Sequence, residues 1–214
     1  MIKTTNMIKQ QLRTNGVLDE KILSLYSKIA RHKFTPYKFQ EFAYTDMRIP
    51  LAHGQQMFSP MEEALLLQEL HFNGGESVLE VGTGTGYLTS MLSRLAKNIL
   101  SIDCFNDFTE HARDNLHQYN CQNVQLLTAN AISGWIPKAP YHIMIITGAI
   151  ESIPDTIKLQ LLPGGKLFVI LGRDPIMYGK LLTLDHHGQW DEKLLFATNT
   201  PKLIDPAAIQ EFVF

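Results

Sequence analysis

The stretch Glu80-Val81-Gly82-Thr83-Gly84-Thr85-Gly86-Tyr87 has the spacing of a binding loop. Its three glycines, at alternate positions, follow a short apolar run that ends in an acid, Ser77-Val78-Leu79-Glu80. Glycine tolerates positive φ and carries no Cβ, so Gly82 and Gly84 let the backbone approach a ligand closely. A helix starting near Tyr87 would turn its free amides to the same place, where a carboxylate or phosphate is favoured. A tight strand-to-helix turn with no ligand has the same pattern, so the loop alone is a weak signal. Asp103 is the second feature. It ends another apolar run about twenty residues on, where a carboxylate can accept hydrogen bonds from ribose hydroxyls; its plainer role is a solvated acid at a strand end. Loop and acid in register point to an adenosine-type ligand.

Such a loop needs a strand before it and a helix after it, and the chain supplies both in alternation. Ser77–Glu80, Ile99–Ile102, Val124–Thr128, Ile143–Thr147 and Lys166–Leu171 read as strands, apolar along their length as in a sheet covered on both faces. Tyr87–Leu95, Asp107–Tyr119 and Pro154–Leu161 read as the helices between them. Leu181–Asp185 and Leu194–Ala197, flanking His186-His187-Gly188-Gln189-Trp190, read as a closing antiparallel pair. Before this core, Met7–Leu12 and Ile22–Ile29 carry apolar residues at helical spacing, followed by a Pro-punctuated connection. Ser59-Pro60-Met61-Glu62 has the form of a capping box opening another helix. The expectation is an α/β protein, a doubly wound and mostly parallel Rossmann-like sheet with an N-terminal helical extension. It is expected to form one domain over 1–214, with 1–72 covering the site and 73–214 forming the sheet core.

The composition, 45% apolar and 19% charged with a net charge of −2, is that of an ordinary globular protein. No basic run suggests a nucleic-acid partner. The apolar stretch Ile143–Ile150 is too short to cross a bilayer, and Met1–Asn6 lacks the apolar core of a signal peptide, so no membrane and a cytoplasmic location are expected. Cys104 and Cys121 fit two ordinary thiols in a reducing compartment.

A dinucleotide fingerprint has two residues between its second and third glycines, whereas Gly84-Thr85-Gly86 has one. That spacing, with Glu80 two places before Gly82, fits S-adenosylmethionine enzymes, in which the methionine carboxylate meets the loop. Nearly the whole chain resembles the protein-L-isoaspartate O-methyltransferases. The likeness runs through Met7-Ile8-Lys9-Gln10-Gln11-Leu12-Arg13, Gly16-Val17-Leu18-Asp19, Phe34-Thr35-Pro36, Ala43-Tyr44-Thr45-Asp46 and His53-Gly54-Gln55. Past the glycine loop it continues in Ala139-Pro140-Tyr141, Ile146-Thr147-Gly148, Ile153-Pro154 and Leu162-Pro163-Gly164-Gly165-Lys166-Leu167. The glycine loop is common to many methyltransferases; the N-terminal pieces are far more specific to this family.

The resemblance implies methyl transfer from S-adenosylmethionine to the α-carboxylate of an L-isoaspartyl residue in damaged protein, leaving S-adenosylhomocysteine. It implies cofactor contacts from Glu80, Gly82, Thr83, Gly84, Gly86 and Tyr87, with Asp103 at the ribose, Asn130 at the adenine, and Thr147. Gln56, Met57, Phe58 and Gly148 would shape the substrate side. No metal is implied, and the partner would be an isoaspartyl protein or peptide, or a small carboxylate; oligomeric state is left open, with a monomer plausible. The chain departs from the family in places. Where the family reads Thr-Ile-Ser-x-Pro, it has Gln56-Met57-Phe58-Ser59-Pro60, so Phe58 replaces the Ser. Ser59, one place late, is the candidate catalytic hydroxyl, with helix capping as its plainer role. Met61 follows Pro60 where the family is often aromatic or His, Ala129-Asn130-Ala131 replaces Gly-Asp-Gly, and His142 replaces an Asp. The chain ends at Phe212-Val213-Phe214, where the family continues with Pro-Leu. A same-fold methyltransferase with another acceptor, or a non-catalytic cofactor-binding relative, are the alternatives.

Overall fold

The computed structural model describes residues 2–205, so Met1 and the closing Phe212-Val213-Phe214 lie outside the described residues. Helix α1 (Ile2–Asn6) runs into a π-helical turn over Met7–Leu12 and a 3₁₀ turn over Arg13–Asn15. The α-type spacing expected here is thus widened: the Arg13 N–H donates to the Ile8 carbonyl five residues back, and Met7 and Leu12, also five apart, are both fully buried. Helix α2 (Glu20–Lys28) starts where the Asp19 carboxylate accepts from the amides of Lys21 and Ile22, and it buries Ile22, Leu23, Leu25 and Tyr26.

The Pro-punctuated connection has more structure than a loop. It holds 3₁₀ turns over Arg31–Lys33, Tyr37–Phe42 and Ala52–Gly54, with a short antiparallel ribbon of β1 (Ile49–Pro50) and β2 (Gln56–Met57). Helix α3 (Pro60–Leu70) begins at the expected capping box.

The core is a seven-stranded sheet. Strands β3 (Ser77–Val81), β4 (Asn98–Asp103), β5 (Val124–Thr128), β6 (Tyr141–Ile150) and β7 (Leu161–Arg173) are parallel, and β8 (Ile176–Leu184) and β9 (Trp190–Thr198) close the sheet antiparallel. The order is β5-β4-β3-β6-β7-β8-β9, so the winding reverses beside β3, between β4 and β6. Helices α4 (Tyr87–Leu92) and α5 (Asn106–Gln118) follow β3 and β4. The helix expected over Pro154–Leu161 shrinks to one turn, α6 (Asp155–Lys158). The sheet takes its end: the Tyr141 amide donates to the Gln160 carbonyl at 2.8 Å, and Tyr141 pairs with Leu161 as the first residue of β7.

Both sheet faces are covered, which is why the strands read as continuous apolar runs. Val78, Ile143, Ile145, Phe168 and Ile170 pack with the N-terminal helices, α3 and α4. Leu79, Val81, Ile102, Met144, Ile146 and Val169 pack on the other face with Ile157 and Leu161.

Candidate functional site

In an open α/β sheet, a ligand crevice forms outside the carboxyl ends of the strands where the winding reverses. Here that place is the tip of β3, flanked by the tips of β4 and β6. Two connected lobes lie there, a larger one of about 630 Å³ and a smaller one of about 370 Å³. Leu51, Gln56, Gly82, Gly84 and Thr147 belong to the walls of both, so the glycine loop stands at their junction.

The loop is held in place from beneath. Glu80 is fully buried, and its Oε2 accepts from Thr89 Oγ1 at 2.5 Å and Ser101 Oγ at 2.6 Å. Because the Ser101 hydroxyl is spent on Glu80, the 2.6 Å contact between Thr83 Oγ1 and Ser101 Oγ has Thr83 as donor. Burial pushes the Glu80 carboxyl up to about 7, against the pull of the two hydroxyls. Gly82 has φ +97°, and a Cβ there would lie 2.1 Å from Thr147 Oγ1, which donates to the Val81 and Gly82 carbonyls at 3.0 Å. Gly86 is needed for packing instead: a Cβ would meet that of Ala112 on α5 at 3.0 Å. Glu80 and Gly86, expected to touch a cofactor, therefore act below the loop; neither is among the wall residues of the two lobes.

The larger lobe brings Asp103 and Asn130 together as expected. Asp103 is 7% exposed; its Oδ2 accepts the Gly84 amide at 2.9 Å and its Oδ1 the Phe105 amide at 3.0 Å. Burial raises its proton affinity and these amides lower it, while each carboxylate oxygen keeps a further lone pair for a hydroxyl. Asn130 donates through Nδ2 to Asp205 at 2.9 Å, and its Oδ1 accepts the Ile132 amide at 3.1 Å, leaving that oxygen one lone pair.

Sequence reasoning missed two further parts of this wall. The Leu51–Gln55 crossing is pinned by His53, whose ring stacks on Phe105 at 3.8 Å and whose Nε2 lies 3.0 Å from both Asp107 oxygens. Thr200, Pro201, Leu203 and Ile204 close the far side. The Ala149 amide donates to Pro201 at 3.0 Å and the Leu203 amide to Ala149 at 2.8 Å. This crossing explains Gly148, where a Cβ would sit 2.8 Å from Leu203 Cα. It is anchored by Arg48, which binds Glu62, Thr198 Oγ1 and the Asn199 carbonyl.

The smaller lobe is walled by Gln56, Met57, Phe58, Glu63, Thr83 and Tyr87, among others. Met57 and Phe58 are core and wall at once, each 6% exposed. Behind them a fully buried Arg31 binds the Glu63 carboxylate with one nitrogen and the Phe58 carbonyl with another. Burial raises the Glu63 carboxyl to about 7, with Arg31 opposing. Neither residue was singled out from the sequence.

Ser59 is outside both walls. Its Oγ accepts the Glu62 amide at 3.4 Å and the Glu62 carboxylate accepts the Ser59 amide at 3.0 Å. The structure thus places the candidate catalytic hydroxyl in a cap and does not bring it to the cleft. Ser59→Ala is expected to cost about 1 kcal/mol in urea denaturation and to spare turnover. Loss of turnover in a normally folded variant would return the hydroxyl to the chemistry.

His142 lies on β6 with Nδ1 2.9 Å from Ser77 Oγ, away from both lobes, and His186-His187 sit in the β8–β9 turn ordered by Asp185. Cys104 and Cys121 are free thiols.

Residues 3–190 match the sequence pattern of the protein-L-isoaspartate(D-aspartate) O-methyltransferases. A protein-L-isoaspartate O-methyltransferase of Brucella anthropi is 33% identical over 163 residues, covering 76% of this chain and 75% of the relative. One from Methanoculleus marisnigri is 32% identical over 166 residues, covering 78% and 76%. A solved protein-L-isoaspartate O-methyltransferase superposes with a TM-score of 0.81 at 20% identity, over 94% of this chain and 66% of the other. A Plasmodium falciparum structure described as such an enzyme in complex with S-adenosyl-L-homocysteine gives 0.79 at 17% identity, over 94% and 98%. At such identities the superpositions establish the fold, whereas the sequence matches establish kinship. The chain belongs to the protein-L-isoaspartate(D-aspartate) O-methyltransferase family.

Proposed function

We propose that this protein is an S-adenosylmethionine-dependent carboxyl O-methyltransferase acting on isoaspartyl residues of proteins and peptides. The observation that carries the reading is the junction of the two lobes at the glycine loop, in a member of this family. The larger lobe suits the adenosine half: the Asp103 carboxylate is buried at its wall with lone pairs to spare, Asn130 keeps an acceptor, and Ile102, Phe105 and Phe108 give apolar surface. The Gly82–Thr85 backbone and Thr147 would hold the methionine end, so the residues present fit the cofactor. Bound there, S-adenosylmethionine supplies a methyl group on a sulfonium.

The chain's own residues have a limited task. An acceptor carboxylate is already ionised near neutral pH, so no dedicated base is required. The smaller lobe has only to hold it beside the loop and exclude water, for which Leu51, Met57 and Phe58 provide apolar walls. Phe58 in place of the family's Ser changes one side of that lobe without removing either. A single domain and a cytoplasmic location go with this reading; the two free thiols support the latter, and among the described residues no helix is long and apolar enough to cross a membrane.

Methyl-labelled S-adenosylmethionine is expected to label an isoaspartyl peptide and spare its L-aspartyl twin. Equal labelling of both, or of neither while S-adenosylhomocysteine still binds, would overturn the assignment.

A further inference from the structure

If the acceptor is a carboxylate, as proposed above, the smaller lobe must offer it a hydrogen-bond donor. Its hydroxyls can be sorted by what they already do. Thr83 donates to Ser101, and Thr147 donates to the Val81 and Gly82 carbonyls. Thr85 is half-buried and can be satisfied by water. Phe58 brings no polar side-chain atom, and the Glu63 carboxyl is engaged by the Arg31 guanidinium.

Tyr87 differs from all of these. It belongs to the lobe wall, is 2% exposed, and its hydroxyl has no hydrogen-bond partner among the described residues. Leaving a buried hydroxyl unpaired costs free energy, so such a group calls for an explanation. The ring cannot turn away easily: Phe34 meets it edge-on at 5.2 Å, and the Arg31 guanidinium lies 4.9 Å from its centroid. Burial, reinforced by Glu63 and opposed by Arg31, raises the phenol well above its ordinary range, so it keeps its proton and remains a donor.

We infer that the Tyr87 hydroxyl donates a hydrogen bond to the acceptor carboxylate, which makes Tyr87 an acceptor-binding residue and not part of the cofactor's cradle. The inference rests on the reading of the protein as a carboxyl methyltransferase. It explains why a side chain otherwise packed as core carries a hydroxyl, and it gives the lobe that Met57 and Phe58 also wall a polar group.

Tyr87→Phe keeps the ring, its Phe34 contact and its place under Arg31, and removes one oxygen. The KM for an isoaspartyl peptide is expected to rise about tenfold, the loss of one hydrogen bond to a charged group. The Kd for S-adenosylhomocysteine by calorimetry should stay the same, and the unfolding temperature should hold or rise, since the lost group had no partner in the fold. A fall in S-adenosylhomocysteine affinity that tracks the rise in KM would assign the hydroxyl to the cofactor. A lower unfolding temperature would mean that it serves the fold, and an unchanged KM would mean that it serves neither. Each of these overturns the inference while wild-type activity stands. A wild type that binds S-adenosylhomocysteine yet methylates no isoaspartyl peptide removes the functional reading, and this inference with it.

Discussion

Arg31→Met should lose about 3–5 kcal/mol of folding stability, the cost of leaving one partner of a buried ion pair alone. Arg31 is fully buried and Glu63 is 2% exposed, so water cannot take over the pairing. The same guanidinium binds the Phe58 carbonyl, so its removal also frees the wall of the smaller lobe. The expected fall in Tm is roughly 10 °C for a chain of this size. The deficit should also depend on pH. Burial lifts the Glu63 carboxyl from 4.5 to about 7, and Arg31 holds it from going higher. A folded-state value above the unfolded one means that folding takes up a proton, so this contribution to stability is present at acid pH and is lost as pH rises through that window. Without Arg31 the carboxyl moves further up, and the deficit grows as pH rises. The double variant Arg31→Met/Glu63→Leu should recover most of the loss, because two apolar groups leave no buried charge. Equal losses in single and double variants, measured by urea denaturation at several pH values, would show that the pair is not what stabilises this region.

The second large effect belongs to the loop. Gly82→Ala places a Cβ 2.1 Å from Thr147 Oγ1 on a backbone with φ +97°. Either Thr147 gives up its bonds to the loop carbonyls, or the loop lifts and takes Gly84 away from Asp103. S-adenosylhomocysteine affinity should fall about a hundredfold, or about 3 kcal/mol. Adding Thr147→Ala removes the clashing atom but not the backbone strain, so calorimetry should show partial recovery. Wild-type affinity in the single variant would mean that the loop does not have the described conformation.

What could be read from the sequence follows from the range of the forces involved. The glycine loop and the capping box at Ser59 are local, each set by residues within a few positions, and Asp103 follows from the fixed spacing of one strand-helix-strand unit; each lies where the spacing predicts. The central parallel strands β3, β4, β6 and β7 were legible because they are buried on both faces and so have a continuous apolar signature. Their lengths were not, since pairing such as that of Tyr141 with Leu161 extends β6 and β7 beyond their apolar centres. The buried partners of Glu80 were not legible for a related reason. An acid at a strand tip has the same local pattern whether it faces the ligand or faces Thr89 and Ser101 beneath it. Arg31 and Glu63 gave no signal because only tertiary packing joins two charges 32 residues apart. His53 was quoted only as part of a family motif, and nothing local told of its stacking on Phe105.

The wall formed by Pro201 and Leu203 also bears on how the protein is made. The strand tips and glycine loop proposed to hold the cofactor precede this wall in the chain, but the crevice lacks a side until Leu203 has paired with Ala149. A domain generally folds as a unit once enough of its chain has been made. The cofactor therefore meets a finished cleft only when translation has passed that pairing, and it can reward the completed fold without guiding its earlier stages.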